Sequence, residues 1–431
     1  MRIRINIPAF RQYFLIYLML IVNQSNFYQY FIKDNTIVAT ALLLFVLFFL
    51  LKNHCKTSVY GTGLCALMLF FVVFNRILNG GIGVIFWYEM AIKILVVVAA
   101  VLSDREHFLK RFLKTVYVMA IISFVFWIPQ LLGFPIQRYL LPTIETAQYR
   151  AIYDMYGNRS IVHETCSGLF LSSYISNAPT RNTGIYTEPG IYQMVLNSAI
   201  FMLLYMTRHG ELSKKEQKKY FVIFSIVLLS TQSTTGYIGY IVLLISALLI
   251  NIGRDQVRWR RYVLGIIFAG ILVLSIDYAL RGTDSLLSTA VLSKLFDSSN
   301  HLSLVAENST GIYRIATIVI AIMAMVEHPL GLGVAGWDRY SLSSRFAGPG
   351  GFPFRLGAIL GVIPFFVTLL WMFYPLKYLR MGAIAVLTYV FLYFNTSLAQ
   401  TSAFYPALIV IPVCLILTRH HSRNTTTFSQ N

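Results

Sequence analysis

YFVIFSIVLLSTQSTTGYIGYIVLLISALLI, Tyr220 to Ile250, is a run of 31 uncharged positions, and the way it crosses a membrane decides the topology of everything around it. As one helix rising 1.5 Å per residue it would be about 46 Å long, against a bilayer hydrocarbon core of about 30 Å. The polar interruption Thr231, Gln232, Ser233, Thr234, Thr235, Gly236 therefore reads as the turn of a short hairpin between segments 220–232 and 234–251. That choice keeps Arg254, Arg258, Arg260 and Arg261 on the cytoplasmic side, where Lys and Arg accumulate in short loops.

Working outward, the rest of the chain has the same character. Apolar residues make up 57% of it and charged residues only 12%, far below the roughly 25% charged of a soluble domain. Spans at 12–32, 36–51, 57–78, 82–102, 112–133, 185–206, 220–232, 234–251, 262–277, 354–374, 382–398 and 403–418 give about twelve crossings, with both termini on one side. Of the 35 Lys and Arg, 22 fall on that side against five acids, and 12 fall opposite against eleven acids. The rich side is cytoplasmic by the positive-inside rule. The net charge of +18 is thus a record of topology, and nucleic-acid binding is not indicated. The fold class expected is an all-α polytopic membrane protein, one integral membrane domain over 1–431.

Glu89 and Lys93, spaced i, i+4, lie within a span and neutralise each other. MRIRINIPAFR precedes the first span without a small-residue cleavage site after it, which reads as an uncleaved anchor. Cys55, Cys65, Cys166 and Cys414 show no paired spacing, so neither a disulfide framework nor a metal site is expected. GIYRIATIVIAIMAMVEHP, residues 311–329, has too short an apolar centre to span and reads as a helix lying in the outer interface. If this stretch and 220–250 were both single crossings, four arginines would move outside and Arg281 and Lys294 would come in.

Two sizeable parts remain outside, residues 134–184 and 278–353. Loops of this length in a compact bundle are functional or disordered, and their tyrosines argue against disorder. Ten of the twelve outer cations are arginine, whereas the inner set holds 13 Arg and 9 Lys. A guanidinium clamps a phosphate or pyrophosphate with two parallel hydrogen bonds and keeps its charge when partly desolvated. Surface salt bridges with the outer acids are the plainer use of the same residues, and the tyrosines serve either as an aromatic belt or as sugar-stacking faces.

Three stretches resemble the O-antigen polymerase and ligase family. RNTGIYTEPGIYQMVLN, Arg181 to Asn197, is similar to its Arg, Gly, aromatic, acidic-Pro signature at the mouth of a span. LLSTQSTTGYIGY, Leu228 to Tyr240, resembles its Ser/Thr-rich central turn, and YRIATIVIAIMAMVEHPLGLGVAGW, Tyr313 to Trp337, resembles its Arg-led helix ending in His-Pro and a Gly-x-Gly turn. The resemblance implies a GT-C-like glycosyltransferase of the bacterial inner membrane. It would need no metal, nucleotide sugar or other cofactor, and would act at the periplasmic face on undecaprenyl-diphosphate-linked oligosaccharide. A chain-length regulator is implied as a partner, alongside membrane lipid. Ligases carry a His-rich pattern after the second outer loop where this chain has Phe352, Pro353, Phe354 and Arg355, which favours polymerase over ligase. The central turn lacks the Arg that relatives place after its Ser, since Thr234 follows Ser233. An Arg-x10-Gly spacing seen in some polymerases is met by Arg339 and Gly350, in a loop crowded with glycine.

In such a transfer a sugar hydroxyl attacks the anomeric carbon and a lipid diphosphate leaves, so cations near headgroup depth supply the main stabilisation. Arg181 and Arg314 are the first candidates, with Arg339, Arg345 and Arg355 behind them; snorkelling to lipid headgroups is the alternative for the first two. Glu188, between Thr187 and Pro189, is the candidate base, and capping of the following helix is its structural alternative. His328 and Asp338 are the runners-up. Transport of the same lipid-linked sugars is the competing function class, and the lack of internal repeats and the polar mass outside speak against it.

Overall fold

The computed structural model describes residues 7–33, 35–52, most of 70–79, 84–140, short pieces of 143–175, 179–207, 211–249, scattered positions from 265 to 285, 310–343, 351–379, 382–400 and 404–427. Spans 57–78 and 262–277 therefore lie mostly outside the described residues, as do Arg345, Gly350, Cys55 and Cys65. The chain divides into two compact units: Met1–Asn53 with Tyr88–Leu203 and Thr207–Gln232, and His54–Trp87 with Leu204–Met206 and Ser233–Asn431.

The first unit is built from α1 (Ile7–Val22), a π-helical turn (Tyr28–Lys33), α2 (Thr36–Lys52), α3 (Val84–Leu102), α4 (Phe108–Leu131), α5 (Pro189–Tyr205, almost entirely) and α6 (Lys214–Ser230). Among the described residues α4, with 24 residues, is the helix both long and apolar enough to cross a membrane; eight other apolar helices run 10–17 residues. Expected span 12–32 is broken. The helix stops at Val22, and beyond it the buried Ser25 and Asn26 pair with residues far along the chain, Ser25 with Tyr186 and Asn26 with Ser173, Ile185 and Tyr186. The stretch 134–184 is not helical throughout: β1 (Thr143–Thr146), β4 (Glu164–Ser167) and β5 (Tyr174–Ile175) form an antiparallel sheet in the order β1-β4-β5. β2 (Ile152–Tyr153) pairs with β3 (Arg159–Ser160) beside it in sequence. Thr, Ile and Tyr suit such strands better than a helix; among the described residues the chain is otherwise helical, as expected, and these short strands are what the structure adds to it.

Gln12 locks one end of this unit. Its buried amide donates to the carbonyls of Ala100 (3.2 Å) and Asp104 (2.7 Å), joining α1 to the end of α3. Its oxygen accepts from Arg111, whose guanidinium also pairs with Asp104 at 2.7 Å. Partial burial disfavours the Asp104 carboxylate, but hydrogen bonds from His107 and Arg111 outweigh it and hold the group below its ordinary range.

The second unit comprises α7 (Thr234–Leu249), α8 (Thr310–Glu327), α9 (Gly333–Ser343), α10 (Phe354–Leu360), α11 (Val362–Phe373), α12 (Gly382–Ser397) and α13 (Pro406–Thr427). The chain is interrupted at Thr231–Ser233, with Gln232 at φ +49°, as the polar run required. Expected span 354–374 is two helices, parted at Gly361 (φ +107°).

Both units bury polar side chains and expose large apolar ones. Gln12, Gln193 and Ser397 are fully buried, whereas Ile37, Phe48 and Leu51 on α2 are 82%, 65% and 74% exposed. In water that arrangement is unfavourable.

Candidate functional site

The first and second sequence motifs meet in one joint of the first unit. Asn182 donates from its backbone to Ser230 O (3.0 Å) and from its amide to Ser230 Oγ (3.0 Å). Thr180 and Gln232 exchange side-chain and backbone hydrogen bonds. Arg181 completes the joint: Nε donates to Thr231 O at 3.2 Å and Nη2 to Gln232 O at 3.0 Å. These carbonyls follow the last residue of α6, where helical acceptors lack backbone partners and a cation opposes the negative end of the helix dipole. Arg181 thus caps α6 with the two donors described.

The rest of this motif is held from several sides. Gln130 Nε2 donates to Pro179 O (2.8 Å) and Arg181 O (3.2 Å), and Gln137 donates to Gln130 Oε1 (3.1 Å). Asn26 donates from its backbone to Ile185 O (2.9 Å) and from its amide to Tyr186 O (3.1 Å) and Ser173 Oγ (2.6 Å). A Cβ on Gly184 (φ +57°) would sit 3.0 Å from the Tyr192 ring, so glycine suits this position. Glu188 precedes Pro189, the first residue of α5, and its carbonyl accepts from Ile191 and Tyr192. It therefore stands at the N-cap position with proline at the first helical position.

The third motif closes on a second joint, in the other unit. Its His-Pro-Leu-Gly-Leu-Gly turn, His328–Gly333, lies against the break between α10 and α11: Leu332 N donates to Ala358 O (2.9 Å) and Val362 N to Pro329 O (2.9 Å). A Cβ on Gly331 (φ +85°) would sit 2.5 Å from Ile359 O, and one on Gly361 would sit 2.7 Å from Pro329 O, so both positions demand glycine. Asn75 bridges the two turns, donating to Leu330 O (3.1 Å) and Ile359 O (3.0 Å), and Asn79 donates to Gly331 O (3.0 Å).

Around this joint gather His328, Asp338 and Arg355, with Glu327 and Tyr340 added by the structure. Tyr340 donates to Glu327 Oε2 at 2.8 Å, and its ring meets the His328 ring edge-on at 6.1 Å. Arg355 lies 5.7 Å from the centre of the Phe352 ring and feels the charge of Asp338. Its Nε is buried and has no hydrogen-bond partner among the described residues. Arg339 is exposed and its Nε turns back to Ala335 O in its own helix (3.3 Å). Arg314 occupies the first turns of α8, fourteen positions before His328 and so about 21 Å from it along the helix axis.

The residues that hold both joints are mostly neutral amides: Asn26, Asn75, Gln130, Gln137 and Asn182. Their sequence signal is an Asn or Gln inside or beside an apolar run, which periodicity alone does not separate from an ordinary turn residue. Among the described residues no three His, Cys, Asp or Glu side chains gather as a metal site. Comparison of the chain with protein-family models, with curated proteins and with solved structures finds no match.

Proposed function

We propose that this chain is a polytopic inner-membrane glycosyltransferase of about twelve crossings, GT-C-like, with both termini cytoplasmic. It polymerises O-antigen or a similar polysaccharide by transferring a growing glycan from undecaprenyl diphosphate to a lipid-linked repeat at the periplasmic face. The large apolar side chains exposed on both units, together with the amides buried among the apolar core, support the membrane reading: hydrocarbon accepts exposed Ile, Leu and Phe, and leaves Gln and Asn no partner but the protein. The chemistry is carried by one observation, the buried Nε of Arg355 with no hydrogen-bond partner among the described residues. A buried charged donor left unmade costs several kcal/mol on the order of a lost ion pair, and an oxyanion that completes it recovers that free energy.

In this reading an acceptor hydroxyl attacks the anomeric carbon of the donor, the bond from that carbon to the diphosphate oxygen breaks, and Arg355 receives the developing charge. Arg314, Arg339 and Arg345 supply further cations and His328 and Asp338 line the substrate; the hydroxyl proton goes to a base, for which the sequence offers Glu188. Arg181 is a positioning residue: it ties the mouth of α5 to the end of α6. Purified protein in vesicles, supplied with undecaprenyl-diphosphate-linked repeats, tests the proposal. A product ladder is expected, collapsing on Arg355→Ala by about 10²- to 10³-fold in rate. Transfer only to lipid A core would mark a ligase, and translocation without a new glycosidic bond would mark a transporter.

A further inference from the structure

The starts of α1, α4 and α6 come together at one end of the first unit, and they are strongly basic. Segments 11–13, 104–117 and 211–220 hold nine Lys and Arg against four Asp and Glu. None of those acids is without a partner, and two of the pairings shape the surface. Asp104 is bound by Arg111 and His107, and Glu216 closes the capping box of α6, accepting from Ser213 N and Oγ at 2.8 Å each. Lys110 and Lys114 both act electrostatically on Glu216, which places the α4 and α6 lysines in one field.

An aromatic floor lies beneath these charges. The Lys219 ammonium sits 4.8 Å from the centre of the Tyr117 ring, and Tyr117 packs on Tyr220 at 4.7 Å. Lys114 and Arg111 each lie 5.9 Å from the Tyr13 ring. Lys110, Lys114, Lys218 and Lys219 are exposed, Tyr13 and Tyr117 half-buried and Tyr220 buried. The first turns of α4 and α6 add the positive ends of two helix dipoles. From Lys110 to Tyr117 the surface is about 10 Å long, the scale of a phospholipid headgroup.

We propose that this surface is a binding site for the headgroups of anionic phospholipids. The position argues for a lipid over a soluble acidic partner, because the site opens the one described helix long and apolar enough to cross a membrane. Lysines over tyrosines are the side chains that meet a phosphate surface at interfacial depth. The exposed cations here are mainly lysine, compact point charges suited to a mobile phosphodiester, in contrast to Arg355, whose Nε is buried. The inference rests on the membrane reading and is independent of the polymerase reaction.

Flotation with phosphatidylcholine vesicles tests the membrane reading by itself. For the site, the full-length protein is reconstituted in phosphatidylcholine with trace spin-labelled phosphatidylglycerol or phosphatidylcholine, and the fraction of immobilised probe gives the lipid preference. Each cation near such a surface is worth about fivefold in association. The expected result is a preference for phosphatidylglycerol of about fivefold or more, weakened by salt. In K110Q/K114Q/K218Q/K219Q it should approach unity, in the four Lys→Arg changes it should persist, and in K110Q/K218Q it should be intermediate. Equal immobilisation of both probes by the wild-type chain overturns the proposal, as does an unchanged preference in the milder double variant. Displacement of phosphatidylglycerol by inorganic phosphate at constant ionic strength would also overturn it, in favour of a soluble phosphate ligand.

Discussion

Replacing Arg181 by Ala separates a positioning role from direct contact with a diphosphate. The side chain makes two charge-assisted hydrogen bonds, to Thr231 O at 3.2 Å and Gln232 O at 3.0 Å. Hydrogen bonds to charged groups contribute about 1.5–3 kcal/mol each, and a cation at a helix C-terminus about 0.3–1 kcal/mol. Thr231 is fully buried, so water does not readily replace the lost donor, whereas the half-exposed Arg181 side chain lowers the sum. The expected destabilisation is about 2–4 kcal/mol. Arg181→Lys retains one of the two contacts and should lose about half as much. Unfolding in mixed micelles of rising sodium dodecyl sulfate measures the change. Trp127 is a local reporter, because its Nε1 donates to Thr180 O at 2.9 Å, in the joint itself and next to Arg181. Arg181→Ala with an unchanged unfolding midpoint and unchanged Trp127 emission, yet no polymerisation, would refute the capping argument and return Arg181 to the reaction centre.

Three further outcomes follow from the same geometry. Gly331→Ala should destabilise by about 2–5 kcal/mol, combining left-handed strain with overpacking against Ile359 O; Gly133→Ala, at φ +87° with open space around it, should show only the strain, about 1–2 kcal/mol. Equal midpoints for the two variants would sink the close-approach argument. Glu188→Gln keeps an acceptor at the N-cap and should unfold within about 0.5 kcal/mol of wild type, while polymerisation falls by about 10²- to 10⁴-fold; full activity would remove the base. The depressed folded-state pKa of Asp104 means that its contribution is fully present above the unfolded value of about 3.9 and is lost as pH falls through the folded value. Unfolding midpoints at pH 6 and pH 3 should therefore differ less in Asp104→Asn than in the wild-type chain.

Residues 220–250 were legible because their message is local. Thr231 to Gly236 interrupt an apolar run too long for one crossing, and the chain breaks there with Gln232 at φ +49°. Pro189 likewise announced the start of α5, since its missing N–H and fixed φ suit a first helical turn. The basic starts of α4 and α6 and the apolar content of the helices are similarly written in composition, because each is a property of one segment taken by itself.

Other features depend on partners far along the chain, and no local period encodes those. Just past the end of α1 at Val22, Asn26 bonds Tyr186 O, 160 residues on. Arg181 caps carbonyls 50 and 51 residues away, so a side chain that reads as a phosphate ligand in sequence acquires a structural task. Expected span 354–374 parts at Gly361 because the His328–Gly333 turn presses against it. Amino-acid type decides what each segment tolerates as solvent; which donor meets which acceptor is decided only when distant segments close on one another and water is excluded from between them.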